Sequence, residues 1–276
     1  MKENIKYTLI IPYFNSEDSI NKLISSVPNR DDIEIILIND NCPTFDSLRE
    51  RLDNRVLYFY NDSGNKGAGA CRNIGINKSN GEYIVFADSD DYFIDNAFTH
   101  FDKYSNSGFD IVYFSPISSY ADGSSGSKRH VPYSDLVNKY IKENDNSIRY
   151  KFYVPWSKLI KRDLVLKNNI YFDEVLASND INFSLKVGYF AKNIYASNEN
   201  VYCVIDSKDS LTKIYTKEIV FSRFKAICDY NNFIIVNGIP TDLIRMIYFL
   251  KLIAKVDPFN FFVALIFVIR NRYPII

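Results

Sequence analysis

The first half of the chain alternates between short apolar runs and segments of helical periodicity. Four runs rich in Ile, Val, Tyr and Phe predict strands at residues 7–13, 33–39, 55–60 and 83–87. The segments between them predict helices near residues 16–27, 45–52 and 68–78. Strands that are apolar almost throughout and alternate with helices are typical of a parallel sheet covered on both faces. The pattern therefore predicts an α/β fold, mainly parallel and Rossmann-like, whose ligands bind at the carboxyl ends of the strands.

The second half mixes strands and helices before it becomes wholly helical. Its predicted elements are a strand at residues 109–115, a loop at 118–127, helices at 134–142 and 179–190, a turn with a short helix at 156–166, and strands near 194–196 and 201–205. From about Lys217 the sequence is helical, aromatic and aliphatic to its end. We therefore expect an α/β domain over residues 1–215 and a helical, aromatic-rich extension over residues 216–276.

Composition narrows the classes of function. Lys+Arg and Asp+Glu number 33 each, so no net charge favours nucleic acid as a partner. The four cysteines lack CxxC spacing, which argues against zinc or a disulfide framework and predicts reduced thiols in the cytosol. The apolar stretch at residues 8–14 is short and contains Pro12, so we interpret it as a strand and not as a signal peptide.

Three carboxylates follow the fourth predicted strand within four residues, at Asp88, Asp90 and Asp91. Carboxylates crowded at a strand end repel each other unless a cation lies between them. Mg²⁺ and Mn²⁺ prefer oxygen ligands and often bridge a carboxylate to substrate phosphates. The alternative is an acidic turn in which Asp88 or Ser89 caps the next helix. Both interpretations fit these residues taken alone.

Two further segments carry candidate binding groups. Asp40 follows the second strand, where it can accept hydrogen bonds from a uracil or a ribose, or else cap the helix at residues 45–52. Gly67 and Gly69 open a helix whose amides can hold an anion, with Lys66 and Arg72 supplying positive charge. A dinucleotide-binding fingerprint is incomplete here, because Arg72 occupies its third glycine position, so nicotinamide binding is disfavoured.

Trp156 and Asp180 are two further candidate site residues, the first for binding a sugar and the second for moving a proton. Indole faces bind the apolar faces of sugar rings, although a core position is the usual place of a tryptophan. Asp180 lies near the start of a helix that Ser178 could cap, where the helix dipole favours the ionised form that a general base requires. An aspartate in the first turn of a helix is equally ordinary.

In this order, the residues resemble the family-2 glycosyltransferases, inverting enzymes of the GT-A fold. The resemblance runs from about residue 7 to 213. Its matching pieces are TLIIPYFN at residues 8–15, IND at 38–40, NKG at 65–67, ACRN at 70–73, DSDD at 88–91, WSKL at 156–159, NDINF at 179–183 and SLT at 210–212. Two positions depart from the family pattern. Asn39 replaces the first of two aspartates, and Asn179 replaces a glutamate beside Asp180, a change that either tunes the acceptor site or weakens activity.

The resemblance implies inverting transfer of a sugar from a nucleotide diphosphate donor, expected to be a UDP-sugar, to an acceptor hydroxyl. The implied donor-binding residues are Pro12, Tyr13, Glu17 and Asp40 around the nucleoside, Lys66 and Arg72 near the base or diphosphate, and Asp88 with Ser89 near the ribose or donor sugar. Asp90, completing a DxD motif, would bind Mn²⁺ or Mg²⁺ that bridges the phosphates. Asp180 would be the base, and Trp156 would hold a glycan or lipid-linked acceptor. Synthesis of a bacterial surface polysaccharide is the implied setting.

Two other functions stay open. A nucleotide-sugar-binding partner subunit without turnover would fit the change at Asn179. A sugar nucleotidyltransferase would be expected to carry a basic glycine-rich loop after the first strand, where this chain has PYFN at residues 12–15. That difference argues against the second alternative.

The C-terminal segment predicts two further helices, at residues 243–255 and 259–269. The second is apolar at ten of its eleven positions, and a helix of this length is too short to span a bilayer. It fits either packing, including a homodimer through these helices, or an in-plane helix on an anionic membrane surface. Nearby basic residues suit the membrane surface: Lys251, Lys255, Arg270 and Arg272. We therefore expect a cytoplasmic protein associated peripherally with the inner face of the membrane.

Overall fold

The computed structural model describes residues 5–207 and 214–276. In the first half it contains the strands β1 (Tyr7–Tyr13), β2 (Ile33–Asn39), β3 (Val56–Tyr60) and β4 (Tyr83–Phe86), and the helices α1 (Glu17–Ser25), α2 (Phe45–Arg49) and α3 (Ala68–Lys78). β1 pairs in parallel with both β2 and β4, and β2 pairs in parallel with β3. The predicted strand–helix alternation is thus confirmed. Every residue of β1 and β2 is buried, as expected for a sheet covered on both faces.

The second half completes the sheet. Its elements are β5 (Tyr92–Phe93), α4 (Ala97–Tyr104), β6 (Ile111–Tyr120), α5 (Val131–Glu143), α6 (Ile148–Lys151), β7 (Lys158–Lys161), α7 (Arg162–Lys167), α8 (Ile181–Phe190) and β8 (Ile194–Asp206). The eight strands described lie in the order β3-β2-β1-β4-β7-β6-β8-β5. β7 runs antiparallel to both of its neighbours, while β6 and β8 are parallel to each other.

Two elements differ from the sequence prediction. The turn expected from Trp156 is followed by the strand β7, whose Ile160 pairs with both Ile84 of β4 and Ile111 of β6. Its four residues begin and end with lysine, so local periodicity gave no strand signal. The two short strands expected near residues 194–205 are one strand, β8. Its polar middle hid this continuity, and register shifts against β6 near Ser115 absorb the irregularity.

Close packing holds α3 against the sheet. A Cβ atom added at Gly75 would lie 2.3 Å from Cγ2 of Ile10, so the helix approaches β1 at a distance that only glycine permits. The apolar core on which these elements pack includes Ile10, Ile36, Phe86 and Leu159, all fully buried. This packing fixes the start of α3 relative to the ends of β1 and β4.

Residues 214–276 contain the helices α9 (Lys217–Val236), α10 (Ile247–Val256) and α11 (Pro258–Arg270). They share a second apolar core with Ile181 and Leu185 of α8. The helical character predicted from Lys217 onward is confirmed, and the division into domains at residue 216 stays a prediction. Across the described ranges, no helix combines the length and apolarity needed to cross a membrane. The SLT motif at residues 210–212 lies outside the described residues.

Candidate functional site

Asp40 connects the end of β2 to the start of α3. Its carboxylate accepts hydrogen bonds from the Gly67 backbone N–H at 2.8 Å and from Nδ2 of Asn61 at 2.7 Å. It does not cap α2, so that alternative is wrong. The side chain remains partly exposed. Because a carboxylate offers about four lone-pair positions, Asp40 can still accept hydrogen bonds from a ligand.

The glycine-rich segment adopts a backbone that its glycines make accessible. Gly67 has a φ of 111°, in the left-handed region that disfavours side chains. A Cβ atom at Gly69 would lie 2.3 Å from the Asp173 carbonyl oxygen, so α3 begins in contact with the segment that precedes α8. Lys66 is exposed at this helix start. The start of α3 and the exposed Lys66 are the groups here that favour an anion.

Arg72 joins three parts of the fold beneath this helix start. Its side chain is 5 % exposed, and its Nη2 donates to Oδ1 of Asp88 at 2.5 Å. Its Nη1 donates to Oδ1 of Asn179 at 2.9 Å, and its guanidinium lies 5.1 Å from the centre of the Phe172 ring. The buried Nε has no hydrogen-bond partner within the described ranges. Arg72 therefore balances the charge of Asp88 and fixes Asn179 beside Asp180.

The acidic segment after β4 divides its carboxylates among three environments. Asp88 is bound to Arg72, and its backbone N–H donates to Oη of Tyr202 at 2.9 Å. Asp91 is buried and accepts a hydrogen bond from the Ile205 backbone N–H at 2.7 Å. Asp90 is exposed to solvent. The segment leads into the strand β5, and α4 begins after Asn96, so the helix-cap alternative for Asp88 or Ser89 is wrong.

Electrostatic crowding marks this segment. Partial desolvation, and after it the negative charge of Asp88, raise the pKa of Asp90. Burial, followed by the charges of Asp90 and Asp88, raises the pKa of Asp91 well above its usual range. A cation beside Asp90 would relieve this repulsion.

The residues present fit a divalent ion that is shared with a bound diphosphate. Within residues 5–207 and 214–276, no group of three or more His, Cys, Asp or Glu side chains is gathered around one point. A Mg²⁺-type ion that takes most of its ligands from phosphates and water needs only one or two carboxylates. Asp90 supplies an exposed carboxylate and Asp88 lies beside it, which meets that smaller requirement.

Ser89 has a structural role that the sequence did not reveal. Its Oγ donates to Oγ of Ser16 at 2.8 Å, and its carbonyl accepts a hydrogen bond from Oγ of Ser19 at 2.9 Å. The side chain is buried. Ser89 thus ties the acidic segment to the start of α1, and its expected donor contact stays a prediction that its burial does not favour.

Asp180 occupies the N-cap position of α8 and is partly exposed. Ser178 makes no cap to this helix and has a φ of 59°, so the predicted serine cap is wrong. Burial raises the pKa of Asp180, and the positive charges of Arg72 and Lys158 oppose that rise. The Asp180 carboxyl group thus lies near positive charges that favour its ionised form, which is the form that a general base requires.

Lys158 is the most unusual charged residue near this site, and sequence reasoning assigned it no role. It is 1 % exposed, and its Nζ donates to the Phe152 carbonyl at 2.8 Å and to Oγ of Ser184 at 3.1 Å. Burial lowers its pKa to about 7, against the opposing effect of Asp180. Ser184 lies in the first turn of α8, so Lys158 holds the helix that carries Asp180. The only sequence feature that pointed to Lys158 was its place in the WSKL motif at residues 156–159.

Two aromatic predictions change in the structure. Trp156 is 2 % exposed and stacks on Tyr202 with ring centres 5.8 Å apart, so it is a core residue and offers no face to an acceptor. Tyr13 is fully buried against Phe45, and Pro12 is also buried. The aromatic side chain exposed to solvent here is that of Phe14, which directly follows β1 and is 55 % exposed. Phe14 is exposed because it lies just beyond β1, in the bend that precedes α1, and the apolar run of residues 8–14 gave no sign of this change.

The structure gathers most of the remaining predicted residues at the carboxyl ends of β1, β2 and β4. Glu17, the first residue of α1, is partly exposed and accepts a hydrogen bond from Arg51 at 3.4 Å. Asp40, Gly67 and the chain of contacts from Arg72 to Asp88 occupy the same edge of the sheet. Arg72 also links this edge to Asp180 through Asn179. The result is a polar edge with one exposed carboxylate, a helix start and a candidate base.

Comparison with known proteins identifies relatives of this chain. Residues 8–167 match the sequence profile described as glycosyl transferase family 2. A poly(ribitol-phosphate) β-N-acetylglucosaminyltransferase, TarS of Staphylococcus aureus, is 26% identical over 213 residues, which cover 72% of this chain and 35% of the relative. The chain spans about a third of the length of the curated relatives it matches first.

Solved structures share the fold. The crystal structure of S. aureus TarS 1–349 in complex with UDP-GlcNAc matches with a TM-score of 0.68 at 19% identity, over 91% of this chain and 71% of that one. The mannosyltransferase PcManGT of Pyrobaculum calidifontis, in complex with GDP-Man and Mn²⁺, matches with a TM-score of 0.56 at 13% identity, over 84% and 64% of the two chains. These likenesses confirm the predicted α/β fold class.

Proposed function

The chain belongs to glycosyl transferase family 2 and has the GT-A fold, and from that premise we propose that it transfers a sugar from a nucleotide diphosphate donor to an acceptor hydroxyl with inversion. The observation that carries the proposal is that Arg72 of α3 binds both Asp88 and Asn179, the neighbour of Asp180, while Asp40 binds the Gly67 backbone N–H before the same helix. This edge offers binding groups for a charged nucleotide beside a base for the incoming hydroxyl.

We propose a UDP-sugar as the donor. TarS, with which this chain shares its fold, was crystallised with UDP-GlcNAc and with UDP. Asp40 would accept a hydrogen bond from the nucleoside, and the exposed ring of Phe14 would stack on the base in the role first expected of Tyr13. Glu17 would border the nucleoside pocket. The start of α3, with Lys66, would lie near the diphosphate.

Metal dependence is part of the proposal. Asp90 would bind Mn²⁺ or Mg²⁺ beside Asp88, and the ion would neutralise charge on the departing diphosphate. The sequence positions of Asp88, Asp90 and Asp91 support this assignment, since three carboxylates follow β4 within four residues and burial, followed by their mutual repulsion, raises the pKa of Asp90 and of Asp91. PcManGT, a structural relative, was crystallised with Mn²⁺.

Asp180 would take the proton from the acceptor hydroxyl as that oxygen attacks the anomeric carbon from the face opposite the leaving group. Arg72 would hold the donor side of the site at a fixed distance from the base, because it contacts both Asp88 and Asn179, the neighbour of Asp180. Lys158 would influence Asp180 indirectly, by holding α8 through Ser184 and by placing a positive charge near the Asp180 carboxyl group. Trp156 would support this arrangement from the core, by stacking on the Tyr202 that binds Asp88.

We also propose a biological setting. TarS is by name a poly(ribitol-phosphate) β-N-acetylglucosaminyltransferase, and we propose a surface glycan or a lipid-linked glycan as the acceptor of this chain. Such acceptors place the enzyme at the inner face of the cytoplasmic membrane, associated peripherally. A homodimer through the C-terminal helices is the competing role for that part of the chain.

One observation favours a second function. Asn179 gives Arg72 a neutral partner where the family pattern has a carboxylate, which leaves the site near Asp180 with one negative charge fewer. A nucleotide-sugar-binding subunit without turnover would tolerate that change. Membership of family 2 argues against the sugar nucleotidyltransferase considered from the sequence.

A donor-hydrolysis screen tests the proposal. UDP-, GDP- and TDP-sugars would each be incubated with the chain, with Mn²⁺ and with a chelator, and nucleotide release measured. We expect release from a UDP-sugar that depends on the metal. Tight UDP binding by calorimetry without release from any donor, in the presence of candidate acceptors, would favour the binding subunit instead.

A further inference from the structure

One face of α11 is apolar and open to solvent. Phe259 is 92 % exposed, Phe262 66 %, Val263 64 % and Ile266 51 %. Their spacing of three and four residues places them on a single side of the helix, while Ala264 and Val268 on the other side are buried in the second core. Large contiguous apolar surfaces of this kind mark sites of interaction.

The part of the chain that contains this face is basic, although the whole chain carries no net charge. We call residues 243–276 the C-terminal hairpin, and it contains five basic side chains and one acidic side chain. All five basic side chains are exposed: Arg245, Lys251, Lys255, Arg270 and Arg272. The acidic one, Asp257, is buried, accepts a hydrogen bond from the Asn260 backbone N–H and pairs with Lys217 at 2.6 Å. The exposed charge of the hairpin is therefore entirely positive.

The hairpin is a fixed unit in which the basic and apolar groups stay together. Asp257 both ends α10 and begins α11, and the two helices pack on each other. The backbone N–H groups of Met246 and Ile247 donate to the carbonyls of Pro274 and Ile275 at 2.8 and 2.9 Å, which ties the last residues to the start of α10. Arg270 falls on the same side of α11 as Ile266 and Val263.

We propose that the C-terminal hairpin is a docking surface for an anionic phospholipid bilayer, with the apolar face of α11 inserted among the lipids and the basic side chains on the headgroups. The inference deepens, and rests on, the location proposed above. Apolar insertion and attraction to anionic lipid reinforce each other in such surfaces. A second copy of the chain fits less well, because a two-fold contact through this surface would bring two sets of uncompensated basic side chains together.

Docking would also orient the active edge. Ile181 and Leu185 of α8 belong to the core that supports the hairpin, and α8 begins directly after Asp180. A hairpin fixed on the bilayer therefore holds the candidate base at a constant position relative to the membrane. A lipid-linked acceptor would be presented from that same surface.

Vesicle flotation of the full chain tests the surface. Vesicles of phosphatidylcholine alone would be compared with vesicles containing about 30 % phosphatidylglycerol, at low and high salt. Two double variants remove each component: Phe262→Ser with Ile266→Ser, and Lys251→Glu with Lys255→Glu. Their matched controls are Leu57→Ser with Ile141→Ser, which are similarly exposed, and Lys139→Glu with Lys142→Glu on α5, which make the same change in charge.

We expect flotation only with the anionic vesicles, weakened by salt, and a fall of about tenfold or more in the partition coefficient for both hairpin variants and for neither control. Equal flotation with neutral vesicles, no flotation, or equal behaviour of variants and controls would overturn the proposal. So would a lipid-free dimer, seen by sedimentation, that the Phe262→Ser/Ile266→Ser variant dissociates. Hydrolysis of the donor without lipid should be the same in the hairpin variants and in the unmodified chain, because these residues lie outside the proposed active site. If the unmodified chain hydrolyses no donor, that result counts against the proposed reaction and not against the docking proposal.

Discussion

Nη2 of Arg72 donates to Oδ1 of Asp88 at 2.5 Å, which joins a residue in the first turns of α3 to the end of β4. Through Nη1 Arg72 also donates a hydrogen bond to Asn179, the neighbour of the candidate base. One buried guanidinium thus positions residues that we assign to the donor and to the acceptor. The positive charge of Arg72 therefore affects both the donor side and the acceptor side of the proposed site.

The two neighbouring carboxylates should differ in their effect on stability. Asp88→Asn leaves the buried Arg72 without a counter-charge, and we expect it to lower the free energy of unfolding by about 2 kcal/mol. Asp90→Asn removes a carboxylate that is repelled by Asp88, so it should leave stability unchanged or raise it. Urea denaturation of both variants provides the measurement. Equal destabilisation by the two would contradict the assigned environments.

Metal-dependent binding should depend on Asp90. Asp90→Ala is expected to abolish turnover and the Mn²⁺-dependent part of UDP binding, because the diphosphate loses its bridge to the protein. Calorimetry with Mn²⁺ and with a chelator measures the difference. Asp95→Ala, an exposed carboxylate five residues later, is the control. If the unmodified chain binds UDP equally well under both conditions, Asp90 has no metal role.

Asp180→Asn should reduce turnover by about a hundredfold or more and leave donor affinity intact, because the amide cannot accept the acceptor's proton. Since burial raises the pKa of Asp180, activity of the unmodified chain should decline on the acid side at a higher pH than an ordinary aspartate would give. Steady-state kinetics across pH give both quantities. Asp135→Asn, on the exposed side of α5, should change neither. A near-normal rate in Asp180→Asn would assign the base elsewhere.

Lys158 should make stability depend on pH in the neutral range. Its pKa in the folded protein is about 7, against a usual value of 10.5, so the unfolded chain binds the extra proton between these values. The free energy of unfolding should therefore rise with pH from about 7 to 8.5, by up to ~1.4 kcal/mol per unit from this group. Above that range the ionisation of thiols in the unfolded chain opposes the rise.

Lys158→Met should remove this pH dependence, because the substituted side chain does not titrate. Chemical denaturation at several pH values compares it with the unmodified chain and with Lys161→Met at the other end of β7. A slope that persists in Lys158→Met would show that another group titrates in this range.

Phe14 and Tyr13 should respond oppositely to substitution. Phe14→Ala is expected to weaken uridine binding about tenfold through lost stacking on the base. Tyr13→Phe should leave uridine affinity unchanged, and stability should not fall, since the buried Tyr13 hydroxyl has no hydrogen-bond partner in the described part of the chain. Calorimetry with free uridine measures the affinities. The reverse pattern would restore Tyr13 as the nucleoside contact.

The sequence by itself determined the parts of the protein that depend on local pattern. Continuous apolar runs predicted β1 and β2 with their observed bounds, and the glycine-rich segment predicted α3, because burial on both faces and helix periodicity leave direct marks in a sequence. The acidic residues 88–91 and the order of motifs were sufficient to predict the family. None of these inferences needed to know which distant segments meet.

Tertiary structure alone decided which side chains are available and what they bind. β7 forms because Ile84 and Ile111 lie on either side of Ile160, a pairing between segments separated by many residues. Trp156 and Tyr13 lose their expected ligand contacts because the core encloses them, and Phe14 is exposed because the chain leaves the sheet after Tyr13. The link from Asp88 through Arg72 to Asn179, and the low pKa of Lys158, depend on burial and long-range contact, which no local pattern of residues encodes.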